Sequence, residues 1–401
     1  MQRYAYVARD NYGKRVKGFM MADDEVDLAN KISRLGYFLT RAKVYHGTAE
    51  AELNLARMKF RDVLNFTIHL ATLVDAGLPL LDGLRDLARD AEKENIQRIV
   101  DDVRYRVESG SSLREALSYH PRSFSKLYTA IVGAGEGTGK LAPALHNLAL
   151  LLEWQMDLIA KVKEAATYPI ILFCVMVAVV SLLVIKVIPT FEPIFQEAGA
   201  NLPMPTQVVL GVSQLVRRFW YVVLSSLFVL FVAYKFYCKS PSGRYRMDSL
   251  KLRFPLFGNL FRKVALSRFC HTLALALRSG VNVLGALDMA ADVMGNSRLE
   301  RSVVKARDAV NVGEKLANSL QVSGEFPALV IRMIGVGEQS GALSETLDKV
   351  CQFYDKEVPA TIKRMFALFE PIMIVLMGVV VGGIALSIFL PMFQVAQLIG
   401  G

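Results

Sequence analysis

The sequence has few of the side chains that usually do chemistry. It holds five histidines and four cysteines in 401 residues. His46, His69, His120, His146 and His271 form no HxxxH pair, so no zinc-ligand spacing is present. Cys174, Cys238, Cys270 and Cys351 are too widely spaced for a redox or zinc motif and too sparse for a disulfide scaffold; free thiols are expected. Charge is also missing from three long stretches. Pro169 to Pro189 carries only Lys186, Phe219 to Tyr234 carries none, and Pro371 to Gly401 carries none. About 20 apolar residues cross a hydrocarbon core. The outer two stretches meet that length, and the middle one is flanked by Phe219, Trp220, Tyr221, Tyr234 and Tyr237, rings suited to the membrane interface.

The remaining residues are not those of a wholly embedded protein, because 21% of the chain is charged, while 53% hydrophobic residues excludes disorder. A net charge of +10 could serve nucleic acid, anionic lipid or positive-inside orientation. The membrane stretches favour the last and argue against nucleic acid. Lys235, Lys239, Arg244, Arg246, Lys251, Arg253, Arg262 and Lys263 follow the second stretch with only Asp248 opposing, whereas Glu192, Glu197, Arg217 and Arg218 cancel between the first and second. Met1–Tyr12 has no apolar core of a signal peptide. The expected topology is three spans in a bacterial inner membrane, with the N-terminus cytoplasmic and the C-terminus periplasmic. Arg217 and Arg218 sit against the rule.

The soluble parts repeat. At an offset of 203, Phe66, Leu70, Ala71, Gly77, Leu81 and Leu84 match Phe269, Leu273, Ala274, Gly280, Leu284 and Leu287. At 202, Gly133, Gly135, Glu136, Gly139 and Leu141 match Gly335, Gly337, Glu338, Gly341 and Leu343, and Pro169 matches Pro371. Apolar steps of three and four residues predict helices, with Gly77 and Gly280 closing the first helix of each copy. The fold expected is mainly α: two homologous cytoplasmic six-helix bundles, three transmembrane helices and a small N-terminal α/β module. The boundaries expected are 1–45 for the module, 46–59 for a linker and 60–168 for the first bundle. Span 169–189, loop 190–218 and span 219–237 follow, then a basic linker with the second bundle at 238–370, span 371–391 and tail 392–401. Long helices over Lys140–Ala166 and Leu343–Phe369 would lead into the membrane, and Pro169 and Pro371 at its boundary would bend them or start new helices.

GEGTGK at Gly135–Lys140 imitates a phosphate loop but fails its pattern. Ala134 stands at the first glycine, Leu141 replaces the hydroxyl residue, Ala342 replaces Lys140 in the other copy, and no strand precedes it. It is expected to be a tight helix–helix turn in which Glu136 and Glu338 cap neighbouring amides. Gly378 and Gly382 form a GxxxG suited to helix packing or self-association. No catalytic, cofactor-binding or metal-binding set emerges, and no cofactor is expected. A small transporter is the alternative, but it would usually show more spans and an intramembrane ionisable site.

YAYVARDNYGKRVKG, LATLVDAGLPLLDGL, GAGEGTGKL, TYP, FQEAGANLPMPTQVV, GVGEQSGAL and FEPIM together resemble the type II secretion F and type IV pilus assembly C family of inner-membrane platform proteins. The resemblance covers essentially the whole chain. It implies a non-enzymatic scaffold coupling a cytoplasmic hexameric assembly ATPase to extraction of pilin or pseudopilin subunits, alongside other inner-membrane assembly proteins. The topology has a direct check. Reporter fusions at residue 205 and at the C-terminus should be active only outside the cytoplasm, and cytoplasmic activity of either overturns it.

Overall fold

The N-terminal module forms because its strands alternate apolar and polar residues around one amphipathic helix. In a computed structural model, which describes residues 2–9, 15–34, 36–44, 57–187, 190, 204–255 and 257–399, β1 (Gln2–Arg9), β2 (Arg15–Ala22) and β3 (Phe38–Val44) make an antiparallel sheet in the order β2-β1-β3. Helix α1 (Glu25–Arg34) buries Leu28 and Ile32 with Tyr4, Ala8 and Ala22. A turn expected from Asp10–Gly13 (DNYG), between the first two strands, lies outside the described residues, as does most of the expected linker; Met58, at the linker's end, is buried and donates its N–H to Ser123 Oγ at 3.0 Å.

Helices then follow in a repeated order. The first series is α2 (Phe60–Asp75), α3 (Leu80–Arg89), α4 (Glu94–Glu108), α5 (Leu113–Ser118), α6 (Lys126–Gly137) and α7 (Leu141–Leu182), the last continuing into a π turn, Leu183–Val187. After α8 (Met204–Lys239) and α9 (Pro241–Arg253) comes the second series. It comprises α10 (Gly258–Arg278), α11 (Val283–Asp292), α12 (Ser297–Asn311), α13 (Leu316–Val322), α14 (Ala328–Ser340) and α15 (Leu343–Ala367); α16 (Phe369–Ile399) ends the described chain. From Leu80/Val283 to Leu113/Leu316 the helix starts differ by 203; from Lys126/Ala328 to Leu141/Leu343 they differ by 202. The shift in sequence register is thus one residue lost between the starts of α13 and α14.

The chain divides into two units, residues 1–146 and 147–401, with α7 beginning in the first and continuing in the second. In the first, Phe124 stacks between Phe66 and Tyr128 at 5.6 and 4.9 Å, and Thr67 Oγ1 bonds the Tyr128 hydroxyl at 2.9 Å. In the second, Phe269 meets Phe326 edge-on at 5.3 Å, the counterpart of the Phe66–Phe124 pair.

Of the two outcomes open at Pro169, a bend or a new helix, the second does not occur: Pro169 lies inside α7, where the Ala165 carbonyl loses one donor and the helix continues. Other boundaries move. In the second copy α15 ends at Ala367 and α16 starts at Phe369; Leu368 between them keeps helical angles, φ −73° and ψ −19°, and Pro371 falls in the first turn of α16, where a missing N–H costs little. Residues 204–218 of the expected loop are helical, and α16 runs past Pro391 through most of the expected tail. Phe269 and its ring partner are wholly enclosed, so Phe269→Ala should lower stability by about 3–5 kcal/mol. Thermal unfolding of the purified protein checks this, and an unchanged midpoint contradicts the shared core.

Candidate functional site: the repeated corners and the long helices

The two glycine–glutamate runs form the same corner twice. Gly133, Gly135, Glu136 and Gly137 belong to helix α6, and the turn itself is Thr138–Lys140. The expectation of a turn spanning the whole motif is therefore corrected: its first half is helix. Gly139 and Gly341 alone take the left-handed conformation, at φ 69° and 70°, which suits a residue without a Cβ. Gly135 and Gly337 are there for a different reason. A Cβ on Gly135 would collide with Ala144 Cβ and crowd the Lys140 carbonyl, and one on Gly337 would collide with Thr346 Oγ1 and the Leu343 backbone. Gly133 and Gly335 face Arg114 and Ala317, again equivalent positions.

Glu136 and Glu338 do not cap the turn beside them. Glu136 accepts from Leu113 N–H at 2.7 Å and Arg114 N–H at 3.1 Å; Glu338 accepts from Leu316 N–H at 2.8 Å and Ala317 N–H at 3.3 Å. Each carboxylate satisfies the orphan amides at the start of a short helix, where its charge also meets the positive end of the helix dipole. In the first copy Ser112 and Glu115 add a reciprocal capping box, so the whole first turn of α5 is bonded. The GEGTGK amides are used up within the corner: Thr138, Gly139 and Lys140 donate to Ala134, Glu136 and Gly135 carbonyls. They are not free to cradle a phosphate.

The copies differ in their buried polar clusters. In the first, buried His120 Nε2 lies 2.9 Å from Asp102 Oδ2, which also accepts from Arg106 at 2.7 Å. Burial pushes the Asp102 carboxyl up, but these bonds more than offset it and hold it below the ordinary range. In the second unit, Asp355 Oδ1 accepts from Trp154 Nε1 at 2.7 Å and sits 2.9 Å from His271 Nε2, with the indole and imidazole stacked at 4.1 Å. Sequence reasoning missed this trio. Trp154 and His271 have no counterparts at the repeat offset, and such departures are the signal that could have found it. Burial pushes the Cys270 and Cys351 thiols up, away from the reactive thiolate. Among the described residues no three His, Cys, Asp or Glu side chains group as metal ligands.

Two helical segments, Leu141–Val187 and Leu343–Leu390, are long and apolar enough to cross a membrane. They expose Ile170, Ile171, Phe173 and Val175 in one and Ile372, Ile374, Val375 and Val379 in the other; apolar bands of this extent do not stay in water. Tyr168 OH donates to Glu370 Oε1 at 3.3 Å, tying together the residues just before Pro169 and Pro371. Gly378 and Gly382 leave open space where a Cβ would stand.

The architecture defines a largely helical protein with a duplicated helix series and apolar helices long enough for a bilayer. The chain belongs to the type II secretion system protein F family: that family's model matches residues 66–189 and again 269–391, and the family's N-terminal domain model matches 1–43. It is 38% identical over 400 residues to the type IV pilus assembly protein PilC of Thermus thermophilus, covering 98% of each chain. Identity is 35% over 401 residues to the protein of the same name from Myxococcus xanthus, covering 99% of this chain and 96% of that one. It is 34% over 406 residues to the type II secretion system protein F of Pseudomonas aeruginosa, covering all of both.

The corners yield a graded test. Gly135→Ala and Gly337→Ala should each cost about 1–3 kcal/mol through overpacking. Glu136→Ala and Glu338→Ala should cost about 1–3 kcal/mol by orphaning two amides. Gly335→Ala, whose methyl would meet Ala317 Cβ at 3.4 Å, should stay within about 1 kcal/mol. Denaturant melts of the five variants check the order, and equal effects at Gly335 and Gly337 contradict the corner geometry.

Proposed function

We propose that this protein is the inner-membrane platform of a type IV pilus or type II secretion machine, and that it performs no catalysis itself. The observation that carries the reading is full-length similarity to relatives named for those two assemblies, with the family model matching twice. Under this reading the work comes from a partner, since GEGTGK fails the phosphate-loop pattern. A cytoplasmic hexameric assembly ATPase is the proposed motor, pilin or pseudopilin subunits are the cargo, and other inner-membrane assembly proteins are neighbours. Under this reading 60–168 and 238–370 are cytoplasmic helical bundles, and 169–189, 219–237 and 371–391 are the three spans. The Gly378–Gly382 face offers a surface for self-association.

Transmission follows from helix continuity. Helix α7 runs from the first series into an apolar stretch without a break, so rotation of a bundle reaches the bilayer directly. In the second copy Leu368, between α15 and α16, keeps helical backbone angles, so the path continues there too. Deletion of the protein should abolish fibre assembly while the ATPase still hydrolyses ATP, and the purified protein should hydrolyse none. A flexible glycine-rich insertion at residue 167 or at 369 should uncouple assembly, with both proteins still folded and membrane-bound. Fibres forming normally without the protein would end the platform reading, and full activity with both insertions would end the lever.

A further inference from the structure

The C-terminal end of α8 and the start of α9 border an open cavity of about 480 Å³ lined by Tyr234, Lys235, Lys239, Arg244, Asp248 and Lys251. A Cβ on Gly243 would strike the Tyr237 carbonyl, so α9 sits directly on the last turns of α8. Asp248 is buried and fully engaged. Its Oδ2 accepts from Ser297 N–H at 3.0 Å and Ser297 Oγ at 2.9 Å, and its Oδ1 from Lys251 Nζ at 2.9 Å. Asn296 Nδ2 donates to its backbone carbonyl at 3.0 Å. Burial raises the Asp248 pKa, but these bonds bring it below the ordinary range, so the anchor stays ionised.

Counting charge shows what the cavity lacks. Four cations line it. Lys251 and Arg244 are answered by Asp248 and by Glu300, the latter 3.3 Å from Arg244 Nη2. Among the described residues no carboxylate answers Lys235 or Lys239, whose ammonium groups lie 5.4 and 5.3 Å from the Phe231 and Phe236 ring centroids. The helix dipole favours lysines at this end, but it does not account for Arg244 and Lys251 of α9 lining the same cavity.

We propose that this cavity binds the phosphate of an anionic phospholipid headgroup. The chemistry required is a phosphate charge held between Lys235 and Lys239, the two cations that no described carboxylate answers. A free phosphate would satisfy the cations equally. The lipid is favoured because the exposed rings of Phe231 and Phe236 lie beside the ammonium groups of these two lysines, and acyl chains would cover such rings where an inorganic ion would not. The inference rests on α8 being a membrane span under the platform reading.

Native mass spectrometry of the full chain, released from nanodiscs of mixed phosphatidylcholine and phosphatidylglycerol, tests it. The wild type should retain phosphatidylglycerol in preference to phosphatidylcholine. Lys235→Gln with Lys239→Gln should weaken that retention about tenfold or more, the size expected of two lysines near a lipid surface. A control losing the same charge at exposed sites outside the cavity, Lys305→Gln with Arg332→Gln, should retain it. Equal retention in the lysine double variant overturns the site. So does stabilisation by inorganic phosphate alone that matches phosphatidylglycerol and vanishes in the same variant, or binding of an oligonucleotide through the same lysines. The residue-205 reporter separates the failures. If it is active in the cytoplasm, the three-span reading falls and takes the lipid site with it; if it is active outside and lipid retention is unchanged, only the site falls.

Discussion

Every backbone amide and carbonyl removed from water needs a partner, and in this chain that requirement is met in two different solvents. In the helical series the difficult places are the starts of short helices, whose first amides have no partner within the helix. In the apolar stretches the difficulty is continuous, because hydrocarbon offers no partner at all. The corner glutamates answer the first problem and unbroken helices the second. Their closeness in the chain is informative: Glu136 stands five residues before the start of α7, so the segment that completes α5 also launches the 42-residue helix that reaches the apolar band.

Duplication shows which features are constrained. The corner recurs atom for atom in kind: a left-handed glycine, a helical glycine against a small residue on the next helix, and a carboxylate across two amides. These are close backbone approaches, where an added methyl has nowhere to go. The buried ion clusters do not recur. Glu325, held by Arg298 at 2.6 Å and Arg262 at 3.2 Å, stands where the first copy has Ser123, which instead accepts from Met58 N–H. Side-chain networks can be rebuilt from other groups, whereas a backbone crossing cannot.

Much of the fold was legible in the sequence because it depends on local or periodic signals. The repeat register, the helix order, the three-strand module and the turn glycines Gly139 and Gly341 could all be read from spacing. What could not be read depends on tertiary partners. Nothing local says that Glu136 reaches back to Leu113, or that Gly135 is helical and kept small by Ala144. Which of its two outcomes Pro169 takes could not be read for the same reason. A proline is a helix breaker by its own chemistry, yet one lost hydrogen bond is a small loss within a 42-residue helix. The trio Trp154, His271 and Asp355 was invisible because its members lie on three helices and belong to neither copy's shared pattern.

Both copies lead into the apolar layer along a helical path that passes a proline. Helix α7 holds Pro169 within it, and in the second copy Leu368, between α15 and α16, keeps helical backbone angles with Pro371 just beyond. Rings gather there: Phe369 lies 6.0 Å from Phe366 and 6.3 Å from Phe257. Tyr168 donates to Glu370 across the two paths through an exposed hydrogen bond. Being exposed, that bond exchanges with water and adds little, so it marks where the two helices meet rather than what holds them there.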